Sequence, residues 1–356
     1  PMTEATSVTF PVTTTRVLAD GRGDLSDPAL AVDPAGRVVV AYIEDEVLVV
    51  LRAPLDRASP VERLVPAIPI SGVDVSLAIG PDGEPAVAIS DYGAIRLWRW
   101  DGAGWVAIGA VPDETVGYEP SLTFDALGRA VLAWTSVTKE APYGQVVRAA
   151  RYGDGWEDLG ALHDESLYGA APSVALFYSG DPVVAWLEGP TSPTPARLAY
   201  RTSDGWTGLS PPLGQWGRPI LRMAGNTPFV AITGVDTAWV AKWANGGWEP
   251  LLGGTNDVEP RPGERSAAFD VDERGSPALA RFARSGALTV SFETESGGVA
   301  WLVLPAVHAG RELREPAIAL AVRDMPASPD QRYLHLAWIE DGGDAGDALL
   351  LDTLHR

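Results

Sequence analysis

The chain has 356 residues, with 47 acidic against 27 basic side chains and a formal net charge of −20. A surface this acidic disfavours nucleic acid, whose phosphates are contacted by basic side chains, and also disfavours anionic membranes, so we expect neither as a partner. Cysteine is absent, which excludes a disulfide framework, a zinc–thiolate site and a thiol nucleophile.

The first residues bear on location. Pro1-Met2 is interpreted as a tag remnant followed by the natural start, and residues 3–7 do not resemble a signal peptide. We therefore expect a cytoplasmic protein, although the lack of cysteine is also compatible with secretion. Residues 13–18 then predict a short strand that precedes the repeats described next.

A strand–turn–strand phrase recurs seven times, and its clearest copy is residues 119–134. The position of Pro120 in that copy is occupied along the chain, about 45 to 52 residues apart, by Pro28, Val75, Pro120, Pro172, Pro219, Arg265 and Pro316. Strand-rich repeats of this period are typical of β-propeller blades. The sequence predicts an all-β, seven-bladed β-propeller that forms one domain over residues 1–356.

Each repeat predicts four short antiparallel strands. The second strand is almost wholly apolar, as in residues 183–186, which indicates burial on both faces between neighbouring blades. Three tryptophans recur at one position of this strand and are expected in the core: Trp134, Trp186 and Trp338.

The last repeat is incomplete. The C-terminal blade, residues 315–356, ends before a fourth strand, so we expect the N-terminal strand at about 13–18 to pair with it and close the ring. The acidic, glycine-rich residues 341–347 of this blade are expected to form a solvated turn.

The turn between the third and fourth strands repeats an Asp/Asn-Gly-Trp pattern that ends at Trp105, Trp156, Trp206 and Trp248. These turns resemble degenerate Asp-boxes of sialidase-like propellers and propeller lectins. The resemblance implies the propeller fold, with the boxes as structural turns away from the functional face. The sialidase catalytic set, an arginine triad with a Tyr/Glu pair and an Asp, could not be placed on this chain.

Ligands of propellers meet loops at one end of the ring. Aromatic residues outside the repeat pattern occur on the predicted inter-blade loops 110–118, 161–170 and 211–217, and on a neighbouring loop. Aromatic rings with nearby carboxylates suit a sugar or a peptide, while the alternative is that the rings merely cap the core. The candidate ligand-binding residues are Tyr118, Tyr168, Trp216, Tyr143, Glu119 and Glu188.

The residue before the Pro120 position is acidic in five of the seven repeats. By symmetry these residues should surround the mouth of the central channel, where carboxylates either remain solvated or recruit a hard cation such as Ca²⁺. The candidate metal ligands are Asp27, Asp74, Glu119, Glu264 and Glu315.

Histidine is scarce, and two of the four histidines, His163 and His308, lie on predicted inter-blade loops. With Glu165 they are candidates for acid–base catalysis. Our first hypothesis is a monomeric, non-catalytic propeller that binds a glycan or a protein segment through these loops. The alternative is a metal-assisted hydrolase or lyase at the acidic channel mouth, and a pure scaffold protein is a third possibility.

Overall fold

The computed structural model describes most of the chain. The described residues are 6–7, 16–20, 24–54, 59–65, 68–70, 74–111, 116–137, 144–163, 167–189, 195–209, 217–233, 238–253, 267–282, 288–293, 299–304, 312–322, 332–341 and 347–355. They form 30 strands in seven sheets. Over these residues no helix has the length and apolar character needed to cross a membrane.

The first four sheets follow each other along the chain as blades 1 to 4. Blade 1 contains β3 (Leu25–Val32), β4 (Val38–Glu44), β5 (Val47–Ala53), β6 (Glu62–Arg63) and β7 (Ile68–Pro69). Blade 2 contains β8 (Val75–Ile79), β9 (Pro85–Asp91), β10 (Ala94–Trp100) and β11 (Trp105–Ala110). Blade 3 contains β12 (Val116–Phe124), β13 (Ala130–Val137), β14 (Gln145–Tyr152) and β15 (Trp156–Ala161). Blade 4 contains β16 (Tyr168–Leu176), β17 (Pro182–Gly189), β18 (Ala196–Thr202) and β19 (Gly205–Gly208).

Three further blades complete the set. Blade 5 contains β20 (Arg218–Ala224), β21 (Thr227–Thr233), β22 (Ala238–Ala244) and β23 (Gly247–Gly253). Blade 6 contains β24 (Ala267–Val271), β25 (Pro277–Phe282), β26 (Leu288–Glu293), β27 (Val299–Leu304) and the N-terminal β1 (Thr6–Ser7). Blade 7 contains β28 (Glu312–Val322), β29 (Arg332–Asp341), β30 (Ala348–His355) and β2 (Arg16–Asp20).

The first strands of the blades touch one another in sequence, from β3 to β8, β12, β16, β20, β24 and β28, and β28 returns to β3. The blades therefore form a closed ring around a central axis, with these strands innermost. This confirms the predicted seven-bladed β-propeller with four antiparallel strands per blade.

The ring closes as predicted. Strand β2 pairs antiparallel with β30, from Arg16 opposite Leu351 to Asp20 opposite Ala348. The described strand covers Arg16–Asp20, and residues 13–15 of the predicted strand lie outside the described part of the chain. Strand β1 was not anticipated, and it pairs in parallel with β27 of blade 6.

The expectation of a solvated turn at residues 341–347 is wrong for its last residue, and residues 342–346 lie outside the described part of the chain. Asp347, assigned from sequence to a solvated turn, is only 5% exposed. Its Oδ2 accepts the backbone N–H of Leu25 at 3.0 Å, so the carboxylate joins the last blade to the first. A buried carboxylate needs such partners because burial removes its hydration.

The apolar core lies between neighbouring blades. Second strands are buried along almost their whole length, and their side chains contact a blade on either side, which explains the continuous apolar runs. The recurrent tryptophans are core residues, as predicted: Trp134, Trp186 and Trp338 are 2%, 4% and 1% exposed.

The Asp/Asn-Gly-Trp turns connect third and fourth strands, as the resemblance implies. Three of their tryptophans pack on aromatic rings of the third strand, with ring centroids 5.5 Å apart for Trp105 and Trp100 and 5.2 Å apart for Trp156 and Tyr152 and for Trp248 and Trp243. The ring of Trp206 lies instead 5.9 Å from the guanidinium of Arg201. These contacts give the turns a packing role.

A second kind of turn joins the first and second strands, and in blade 3 it depends on Asp125. The Oδ1 of this buried carboxylate accepts the N–H groups of Leu127 and Arg129, and Oδ2 pairs with the Arg129 guanidinium at 2.7 Å. Burial raises the pKa of Asp125, but the bonds from Arg129 and Leu127 together outweigh burial, and the pKa lies below its ordinary value.

We expect Asp125→Asn to lower the free energy of unfolding by about 2 kcal/mol near neutral pH, because a charged acceptor of three hydrogen bonds is lost. A depressed folded-state pKa stabilises the protein above the unfolded-state pKa, and this stability is lost as pH falls through the folded-state pKa. Urea unfolding across the acid range should therefore show a shallower acid loss in the variant. The solvent-exposed turn carboxylate Asp101 provides a control, and Asp101→Asn should have the smaller effect. Identical acid profiles for wild type and Asp125→Asn would contradict the assignment.

Candidate functional site

The residue before the Pro120 position has an unusual backbone in the first four blades. Its φ angle is positive at Asp27 (51°), Asp74 (70°), Glu119 (51°) and Ala171 (51°). Non-glycine residues adopt this left-handed conformation rarely, and Asp more readily than most. The register of the innermost strand shifts at this point in blades 1, 3 and 4, so the conformation marks a bulge.

The carboxylates at this position link consecutive blades. Asp27 Oδ2 accepts the N–H of Asp74 at 3.4 Å, and Asp74 Oδ2 accepts the N–H of Glu119 at 3.2 Å. Glu119 Oε2 accepts the N–H of Ala171 at 2.7 Å. We call Asp27, Asp74 and Glu119 the carboxylate clasp, since each holds the next blade by its backbone.

A second row of hydrogen bonds runs parallel to the clasp. Serine hydroxyls two residues further along each accept an N–H from the next blade, at 2.9 to 3.0 Å. The pairs, acceptor first, are Ser76 with Leu122, Ser121 with Val174, and Ser173 with Leu221. These two rows fix the innermost strands of blades 1 to 5 against one another.

The predicted calcium site remains a prediction. Among the described residues, no three His, Cys, Asp or Glu side chains are arranged to hold a metal ion. Of the five proposed ligands, Asp27, Asp74 and Glu119 form the clasp. Glu264 and the side chain of Glu315 lie outside the described part of the chain.

Glu119 has two further partners besides the N–H group of the next blade. Besides Ala171, its Oε2 accepts the hydroxyl of Thr135 at 3.0 Å, and its Oε1 lies 3.5 Å from Nη1 of Arg218. Arg218 holds the same repeat position in blade 5, so this ion pair spans blade 4. The small side chain of Ala171, the blade 4 residue between them, leaves the space for it.

Two exposed tyrosines belong to the innermost strands of the blades near this ion pair. Tyr118 and Tyr168 are 41% and 44% exposed on blades 3 and 4. Burial and the negative charge of Glu119 raise the pKa of Tyr168. Tyr118 precedes Glu119 in β12, whose start pairs with the end of β13, and Tyr168 lies at the start of β16, which pairs with the end of β17. The two rings therefore lie at the same end of the ring of blades as Glu119.

The predicted placement of Tyr118 and Tyr168 on loops is wrong. Tyr118 belongs to β12, opposite Thr135, and Tyr168 begins β16, opposite Gly189. The innermost strands extend beyond the bulge and carry both rings. Strands hold side chains more rigidly than loops, which suits a preformed binding surface.

Glu188 and His163 both contact the core residue Trp186. Glu188 accepts the indole N–H of Trp186 at 3.2 Å and pairs with Arg197 at 3.3 Å. The His163 ring stacks on Trp186, with centroids 6.1 Å apart, and its Nε2 accepts the N–H of Val147 at 3.1 Å. That bond satisfies a strand N–H, which is a structural use of the imidazole.

The other candidates lie outside the described residues. These are Trp216, Tyr143, His308 and Glu165. Their proposed roles, and acid–base catalysis by His163 together with them, remain predictions.

Tyr92 is an exposed aromatic residue that the sequence reasoning missed. It occupies the two-residue turn between β9 and β10, is 83% exposed and has φ of 48°. The following Gly93 accepts the N–H of Gly117 at 2.6 Å, so the turn is fastened to the start of β12 beside Tyr118. The available signal was a tyrosine in a turn position that favours Asn, Asp or Gly.

The sequence matches no protein-family model and none of the curated proteins. Three solved structures illustrate what the fold resembles. An ulvan lyase of a new polysaccharide lyase family, solved with a bound glycan, has a TM-score of 0.59 at 13% identity, covering 96% of this chain and 98% of its own. A subtype N10 neuraminidase-like protein of A/little yellow-shouldered bat/Guatemala has a TM-score of 0.53 at 11% identity. The match covers 81% of this chain and 96% of that protein.

The third is the six-bladed fucose-recognising lectin of Aleuria aurantia, with a TM-score of 0.51 at 12% identity, covering 83% of this chain and 100% of the lectin. Identities this low establish a shared propeller fold. They agree with the fold-level resemblance to sialidase-like propellers and propeller lectins.

Proposed function

We propose that the protein binds a glycan at the surface formed by Tyr118, Tyr168, Glu119 and Arg218, hereafter the tyrosine face. The observation that carries the proposal is the pair of half-exposed tyrosines beside a carboxylate–guanidinium pair. Aromatic rings stack on the C–H faces of sugars, and charged groups hydrogen-bond to sugar hydroxyls.

The contacts of the carboxylates favour a protein that binds a glycan and does not cleave it. The described carboxylates at the channel mouth accept backbone N–H groups, and Glu119 also holds Thr135 and Arg218. These contacts orient a carboxylate as a fixed acceptor. The comparisons support a glycan in a limited way, since propellers of this kind include a glycan-binding lectin and a glycan-cleaving lyase, and a fold alone does not set function.

We expect Tyr168→Ala and Tyr118→Ala each to weaken binding of an array-selected oligosaccharide roughly 5- to 10-fold, because a stacking ring is worth about 1 kcal/mol. A glycan array would select the probe, and calorimetry would measure its Kd. Tyr178→Ala is the matched control, because Tyr178 is 79% exposed in the turn between β16 and β17, at the other end of the same strands.

The Tyr178→Ala variant should bind like wild type. Equal affinity of all three variants would place the site elsewhere. A parallel peptide array distinguishes the other class of ligand: peptide binding without glycan binding would replace the glycan by a protein segment and overturn the proposal.

A further inference from the structure

The turn that carries Tyr92 has a strained backbone, and the Tyr92 side chain is almost fully exposed to solvent. Tyr92 and Gly93 have φ of 48° and 78°, the two left-handed residues of a tight hairpin turn. The equivalent turn of blade 1 has Asp45 and Glu46. A bulky aromatic side chain is disfavoured at this φ, and at 83% exposure Tyr92 gains little from burial.

The position of the turn is tightly fixed. Gly93 accepts the N–H of Gly117, and a Cβ on Gly93 would come within 2.7 Å of Val116. Ser90, just before the turn, donates its hydroxyl to the carbonyl of Gly117 at 2.8 Å. Blade 2 therefore presents Tyr92 directly beside the strand that holds Tyr118.

We infer that Tyr92 is a further sugar-binding subsite of the tyrosine face, and that the ligand is an extended oligosaccharide of at least three sugars. Tyr92, Tyr118 and Tyr168 belong to blades 2, 3 and 4 in order, at the same end of the ring. A chain of sugars can contact rings carried by three successive blades, whereas a single terminal sugar cannot. Strained residues persist where the surrounding structure holds them, and they cluster at ligand sites. The inference rests on the proposed function.

The test separates strain from binding with Tyr92→Asn. Asn tolerates the left-handed conformation, so the thermal midpoint should rise, while affinity for the longer sugars should fall roughly 5- to 10-fold. The probes are oligosaccharides of two to six sugars from the series selected on the array. Disaccharides that contact only Tyr118 and Tyr168 should bind Tyr92→Asn like wild type. Tyr92→Phe keeps the ring and the strain, and it should retain both wild-type affinity and wild-type stability.

The outcomes distinguish the two proposals. If Tyr92→Asn binds every length like wild type while Tyr168→Ala binds weakly, the subsite is wrong and the tyrosine face stands. If wild type binds no array sugar, both are wrong. Tyr92→Gly repeats the test with a residue that has no strain at this φ, should Tyr92→Asn fold poorly.

Discussion

Deletion of residues 1–20 is expected to lower the free energy of unfolding by roughly 4 kcal/mol. The deletion removes β2, whose Leu18 and Ala19 pack against the core between blades 7 and 1. It also removes the strand partners of residues 348–351 of β30, which are at most 4% exposed. Lost burial of about 2 kcal/mol and several lost hydrogen bonds together give this magnitude.

The same deletion should promote self-association, because an uncovered, apolar edge strand pairs readily with another chain. Urea unfolding measures the stability and size-exclusion chromatography the association. Deletion of residues 1–10 is the matched control, since within the described residues it removes β1 and its two residue pairs with β27 and leaves β2 in place. Similar stability of the two truncated proteins would show that β2 does not hold the ring closed.

Gly169→Ala is expected to lower the free energy of unfolding by roughly 3 kcal/mol, in the range of severe overpacking. A Cβ at position 169 would collide with the imidazole of His163, which stacks on Trp186 and accepts the N–H of Val147. The ring would have to leave this position, and both contacts would be lost with it.

Removal of the obstructing ring should rescue the substitution. The double variant Gly169→Ala with His163→Ala should be more stable than the sum of the two single effects predicts, and a double-mutant cycle measures this coupling. Gly155→Ala in a turn of blade 3 is the control, because a Cβ there meets nothing within 4 Å. Additive effects of the two substitutions would show that His163 does not occupy this space.

The fold could be predicted because the same strand–turn–strand pattern occurs seven times in the sequence. One ambiguous copy, such as that with Val75 in place of proline, is interpreted through the others. Closure followed from the missing fourth strand of the last repeat. The strand limits did not, because β12 and β16 continue past the bulge, and a bulge leaves no distinct mark in an apolar–polar pattern.

The candidate site was only partly predictable for a related reason. An alignment of repeats identified Tyr118, Tyr168 and the acidic positions as residues to examine, but it treats each repeat alone. The use of Asp74 and Glu119 depends on the N–H groups of the following blade, which only the assembled ring brings near. Tyr92 was missed because its importance lies in a φ angle and an exposure, neither of which the residue type reveals.

The carboxylate clasp also bears on how such a ring can grow. Asp74 and Glu119 each offer a carboxylate to the following blade and an N–H to the preceding one. A duplicated repeat inserted beside its parent would bring one acceptor and one donor, leaving neither unmatched. The joint between blades is thus encoded within a single repeat, and the number of blades can change by gene duplication without a new joint having to arise.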